Sequence, residues 1–248
     1  MPTADQGHMR MLRGLLLSTL LGLAGCLEYT QTVTLNGDGS GTQSVRLAIK
    51  DATLADLERA GGAAETTKDL TKGLFDKELL GKDLTAAGLV LQAHQSERKA
   101  NRRTVELTAA FPSFATLRLS PLAGSRAEWA LVPGPKPGTA KLTLYPQGQT
   151  AWTEARAKAE AMQVEGDAVA EAFFRKKQQE IAGLDLTVRF QVPGEVLMCT
   201  ANMDKTGPRE VTARITADQI KTPQDLVRRL APRFEVIFDA TGCKLPLQ

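Results

Sequence analysis

The stretch from Leu184 to Val192 constrains the fold most. Leu184, Leu186, Val188, Phe190 and Val192 alternate with Asp185, Thr187, Arg189 and Gln191, a period of two that gathers every apolar side chain on one face of a strand. Such a strand has one buried and one wet face, as in an antiparallel sheet. Pro193-Gly194 ends it. The same signature recurs along the chain. Val33 and Leu35 oppose Thr30, Thr32 and Thr34, and Val45, Leu47 and Ile49 resume the pattern after Asn36-Gly37-Asp38-Gly39-Ser40-Gly41. Two alternating runs around an Asn/Asp/Gly cluster predict a β-hairpin. The cluster carries calcium-loop oxygens on Asn36, Asp38 and Ser40. The acid such a loop needs at its twelfth position falls on Leu47, so plain turn chemistry explains it.

A second hairpin is predicted from Leu89 and Leu91 to Val105 and Leu107, with Arg98, Lys99, Arg102 and Arg103 near its tip. Trp129 and Leu131 pair with Leu142 and Leu144 across a Pro/Gly turn at 133–138, read as a loop tip rather than a domain boundary. Val211, Ala213 and Ile215, then Phe234, Val236 and Phe238, supply two further strands.

Helical spacing marks the remainder. Residues 51–82 read as mostly polar helix interrupted at Gly61-Gly62. Asp51 or Thr53 caps the first piece and Thr66 or Thr67 the second, with Leu70, Leu74 and Leu80 turned inward. Ser113 opens a short turn after Phe111-Pro112, and Thr222-Pro223-Gln224-Asp225 opens a short helix. The longest signal is Trp152, Ala155, Ala159, Met162, Val169 and Phe173, with Gly166 on the same stripe and Arg175-Lys176-Lys177 complementing the helix dipole. An apolar sheet face needs a cover. The predicted fold is therefore α+β: a curved antiparallel sheet covered on one face by that long helix, plus shorter helices.

The N-terminus predicts a compartment. A basic start and an apolar run from Leu12 to Ala24, too short for the ~20 residues of a membrane span, lead to Leu23-Ala24-Gly25-Cys26. This resembles the lipobox of a bacterial lipoprotein signal peptide. Residues 1–25 then form the signal peptide and 26–248 a single extracytoplasmic domain, lipidated at Cys26 and held at a membrane. Leu27 after the cysteine points to the outer membrane where the envelope has two. In an oxidising compartment the remaining cysteines, Cys199 and Cys243, are expected to form a disulfide. The balance of 31 basic and 28 acidic side chains creates no general field for nucleic acid.

Catalytic patterns are wanting. Ser96-Glu97-Arg98-Lys99 fits the S-x-x-K of penicillin-binding enzymes and Lys205-Thr206-Gly207 their K-T-G. The serine, however, sits on a basic hairpin, and Pro208 follows the glycine. His94 is the one histidine outside the leader, which removes His-based triads and multi-histidine metal sites. No glycine loop has dinucleotide or P-loop spacing. No enzyme activity, metal or cofactor is expected.

The lipobox, the Asp38-Gly39-Ser40-Gly41 turn and the run Leu186-Thr187-Val188-Arg189-Phe190-Gln191-Val192-Pro193-Gly194-Glu195-Val196 with Asn202 following together resemble the LppM-type lipoprotein domain of bacterial envelopes. The likeness covers Cys26 to Lys50 and Gly183 to Ile215. It implies an α+β domain without assigned catalysis and, for some members, lipid binding. Two functions are expected on this reading: a binding module for a lipid or another envelope component, or a structural lipoprotein whose partner is an envelope protein. Ala155, Ala159 and Gly166 would leave room opposite a curved sheet for an apolar ligand, or simply let the helix approach closely. Arg98, Lys99, Arg102 and Arg103 are the candidate contacts for an anionic head group.

Overall fold

The computed structural model describes residues 27–60, 73–162 and 168–247. The chain builds two sheets on one continuous core. The first hairpin is β1 (Leu27–Leu35) and β2 (Gly41–Lys50), with Leu35 opposite Gly41 and Leu27 opposite Ile49. Asp38 closes its turn by accepting from the Ser40 amide at 2.9 Å and the Ser40 hydroxyl at 2.6 Å. Gly39 takes a positive φ of 86°, which glycine adopts without strain. At Gly41 a Cβ would collide with the Thr34 carbonyl oxygen and the Phe111 ring, so the close approach of both to β2 depends on its absence.

The second hairpin, β3 (Val90–Lys99) and β4 (Arg102–Phe111), pairs with β2 through β4. Between β2 and β3 lie α1 (Asp51–Ala60) and α2 (Lys77–Ala86). Asp76 caps α2 by accepting from the amides of Glu78 and Leu79, and Leu80 and Leu84 are its buried face; Thr66, Thr67 and Leu70 lie outside the described residues. After α3 (Phe114–Leu117), capped by Ser113, come β5 (Glu128–Pro133) and β6 (Thr139–Tyr145). Trp129 faces Leu144 and Leu131 faces Leu142, the register the sequence predicts. There follow α4 (Gln149–Ala161), α5 (Ala168–Glu180), β7 (Asp185–Gln191), β8 (Val196–Cys199), β9 (Asp204–Gly207), β10 (Glu210–Thr216), α6 (Pro223–Leu230) and β11 (Phe234–Asp239).

One sheet has the order β3-β4-β2-β1-β7-β10-β9 and the other β5-β6-β11-β8. Their inner faces meet where Trp129 of β5 lies 5.8 Å from Phe190 of β7, ring centre to ring centre. Phe190, Phe234, Phe238, Val236 and Leu131 are all buried in the shared core.

Three expectations are corrected. The larger sheet is not wholly antiparallel, because β1 and β7 run parallel, with Glu28 opposite Asp185. Alternation reports a wet face, not a direction, and the long connection through residues 36–184 supplies the crossover that a parallel pair requires. The second correction concerns the cover. The stripe beginning at Trp152 is not one helix lying across the sheet. Met162 is extended (φ −69°, ψ 122°) and ends α4, and the second sheet covers the apolar face instead. Within α4 only Ala159 is buried; Gly166 and the side chains of Val169 and Phe173 lie outside the described residues. Third, Cys199 and Cys243 are free. Cys199 sits opposite Val236 and Cys243 in the turn beyond Asp239. The strand from Val236 to Asp239 alone spans about 10 Å, more than the roughly 7 Å between α-carbons that a disulfide permits.

Candidate functional site

The apolar void found among the described residues is small. The void under Tyr29, Gln31, Leu186, Val188 and Ile215 measures about 20 Å³, room for a single water. Gln31 Nε2 borders it without a hydrogen-bond partner among the described residues. Among the described residues the two sheets fill the core, as close packing favours, and the recess that Ala155 lines is a polar one; Gly166, the third small residue of the expected pocket, lies outside them.

The larger recess lies outside the core. A cleft of about 510 Å³ opens between α4, α6 and the loop Thr200–Asn202, lined by Trp152, Arg156, Asn202, Arg228, Arg229 and Arg233 among others. Each wall has a local cause. Helix α6 starts from a capping box in which Thr222 Oγ1 accepts from the Asp225 amide at 3.0 Å while the Asp225 carboxylate accepts from the Thr222 amide at 3.1 Å. The loop is pinned to β11 by Asn202 Nδ2 donating to the Arg233 carbonyl at 3.1 Å and the Glu235 amide donating to Thr200 Oγ1 at 3.2 Å. Trp152 forms the floor. The Arg233 guanidinium carbon is 4.6 Å from the centre of its ring and that of Arg156 5.9 Å, both within cation–π range.

The charge in this cleft is unbalanced. Glu160 is occupied by Arg156 at 2.9 Å and Asp225 by backbone amides. Arg228, Arg229 and Arg233 have no carboxylate partner among the described residues. Sequence reasoning missed them. It read Trp152 and Ala155 as a core-facing stripe and passed over the run Arg228-Arg229-Leu230-Ala231-Pro232-Arg233, whose charge density was the available signal.

The residues expected to hold an anionic head group are otherwise engaged. Asp51 takes Arg98 Nη2 at 2.8 Å and Arg103 Nε at 3.0 Å. Arg102 lies 2.7 Å from Glu28 and Lys99 2.8 Å from Glu97. These arginines hold the Asp51 and Glu28 carboxyls below the usual carboxylate range, hydrogen bonding from Arg98 and Arg102 being the leading cause in each. Cys26 lies outside the described residues. Cys199 donates to the Met203 carbonyl at 3.3 Å, and burial raises its thiol pKa, with Asp204 adding to the effect. Ser96 and the Lys205-Thr206-Gly207 strand occupy opposite edge strands of the seven-stranded sheet, about 29 Å apart across six strand spacings. They form no common site. His94 Nε2 lies 2.9 Å from the Leu74 carbonyl, a structural contact.

No family model and no curated protein matches the chain. Among solved structures it is similar to the folded domain of LppM from Mycobacterium tuberculosis, determined by NMR. The two share 12% identity and a TM-score of 0.43 over 88% of this chain and 91% of that one. Among the described residues no helix is long and apolar enough to cross a membrane.

Proposed function

We propose that this chain is a lipoprotein of the bacterial envelope, tethered through Cys26, that works without catalysis as a binding module for an anionic envelope component. The ligand is received by the arginine cleft. The observation that carries this reading is the convergence of Arg228, Arg229 and Arg233 on one open cleft whose two carboxylates, Glu160 and Asp225, are engaged by Arg156 and by backbone amides, so that the three have no carboxylate partner among the described residues. The C-terminal turn of α6 alone accounts for two cations there, since they complement the helix dipole. It does not account for Arg233, nor for the indole floor that Arg156 and Arg233 share. Planar guanidinium forks over an aromatic ring are suited to phosphate or carboxylate groups, which they hold through paired, charge-assisted hydrogen bonds.

Trp152 supplies the readout, because it lines the cleft whereas Trp129 is buried at 4% exposure against Phe190. Titration with glycerol 3-phosphate and with inorganic phosphate should change the Trp152 emission saturably. Arg229→Gln with Arg233→Gln should weaken that response at least tenfold, with the thermal midpoint nearly unchanged. A response equal in wild type and double variant would remove the cleft as the site and leave the protein-binding role as the better reading.

A further inference from the structure

Gln31 breaks the alternation that builds β1. The strand turns Leu27, Tyr29, Gln31, Val33 and Leu35 inward, and across the sheet Gln31 sits between Val45 of β2 and Val188 of β7. At 3% exposure a primary amide is costly there unless its hydrogen bonds are made. They are half made. Its Oε1 accepts from the Tyr29 hydroxyl at a long 3.5 Å, and the same hydroxyl lies 3.1 Å from the Leu122 carbonyl. Its Nε2 has no partner among the described residues and borders the core void.

The chemistry of that void names its occupant. Leu186, Val188, Ala213, Ile215 and Phe234 make apolar walls, while Tyr29 and Gln31 bring polar groups. Burial pushes the Tyr29 phenol pKa well above its ordinary value, so the group is a neutral hydroxyl. With its proton on the Leu122 carbonyl, its oxygen can accept another. A water that accepts from Gln31 Nε2 and donates to Tyr29 Oη makes the two hydrogen bonds a buried water needs. About 20 Å³ holds one such molecule and no larger ligand. Gln43 Nε2 and Trp129 Nε1 also lack partners among the described residues, but neither side chain lines the void.

The void adjoins the arginine cleft. Arg229 and Pro232 line both spaces, so these two residues form the wall between them. Pro232 is buried, and its ring holds it in place. Arg229 is half-buried, whereas Arg228 beside it is exposed. A long arginine stem covers apolar surface while its charged end stays wet, which accounts for a side chain shared by core and cleft. That stem can rotate and the proline cannot, so Arg229 is the movable part of the wall.

We propose that Tyr29 and Gln31 hold one exchangeable water inside the core and that Arg229 is its door, closed when an anion in the cleft holds the guanidinium. The water site stands on Gln31 and the void alone. Its closing by an anion rests on the arginine cleft as the ligand site.

The test is made on the full chain. The side-chain amide protons of Gln31 should show a nuclear Overhauser effect from a long-lived water, and magnetic relaxation dispersion of the solvent should register one fewer such water in Gln31→Leu. A missing Overhauser effect at Gln31 would overturn the water site whatever the variant does. Arg229→Ala should shorten the residence of this water at least tenfold, and an unchanged residence would overturn the door. In the wild type, saturating inorganic phosphate should lengthen the residence at least threefold. If Trp152 emission responds to phosphate while the residence stays the same, the closing is wrong and the cleft still binds anions. If Trp152 does not respond, the cleft reading fails and the closing with it, while the Overhauser effect alone decides the water site.

Discussion

At the scale of single residues, Asp51 joins three elements. It follows β2, starts α1 and binds Arg98 of β3 and Arg103 of β4. Those hydrogen bonds stabilise the carboxylate over the acid, so its pKa in the fold lies below the ordinary 3.8. A depressed carboxyl pKa contributes stability that is complete above the ordinary value and is lost as pH falls through the depressed one. The urea midpoint of the wild type should therefore fall on acidification from pH 5 towards pH 2. Asp51→Asn should lower the midpoint at pH 7 and flatten that acid limb. Parallel limbs in the two proteins would show that the Arg98–Asp51–Arg103 cluster does not couple protonation to folding. The pairing also shows why the basic tip misleads as a free anion site when read from sequence: Arg98 and Arg103 lie five residues apart and face each other across the hairpin, but their partner lies at position 51.

Elements were legible where their cause is local. The alternation from Leu184 to Val192 gives β7 with the predicted faces, because a period of two is written in nine consecutive residues. The Trp129–Leu144 and Leu131–Leu142 register follows from a short connecting turn. Thr222-Pro223-Gln224-Asp225 gives the start of α6 because a capping box needs only four residues. What depends on distant partners was not legible. The parallel β1–β7 pair, the packing of α4 against α6, and the convergence of Trp152, Asn202 and Arg233 are set by packing between segments with no shared local pattern. The capping box also carries an element-scale prediction. Thr222→Ala removes the side-chain acceptor for the Asp225 amide and should cost about 1 kcal/mol of stability, read from urea unfolding. Because α6 forms one wall of the cleft, the Trp152 response to phosphate should weaken as well. Undiminished stability would mean that packing against α4, not the cap, sets where α6 begins.

At the scale of the molecule, the two sheets share one core, and this decides how the chain unfolds. The smaller sheet has four short strands and places Trp129, Leu131, Leu142, Leu144, Phe234, Val236 and Phe238 in the same buried cluster as the larger one. Neither inner face has another cover of comparable extent among the described elements, so separating the sheets would expose both at once. Apolar surface is worth roughly 25 cal/mol per Å², and such exposure leaves no stable half-molecule. Unfolding should then be a single transition. Trp129, wedged against Phe190 across the interface, and the far-UV signal of all eleven described strands should report one common urea midpoint. Phe190→Ala, which opens a cavity at the junction, should lower stability by about 3–5 kcal/mol and shift both signals together. A variant in which the tryptophan signal is lost well before the far-UV signal would mean that the four-stranded sheet detaches on its own, and that the larger sheet has some other means of shielding its apolar face.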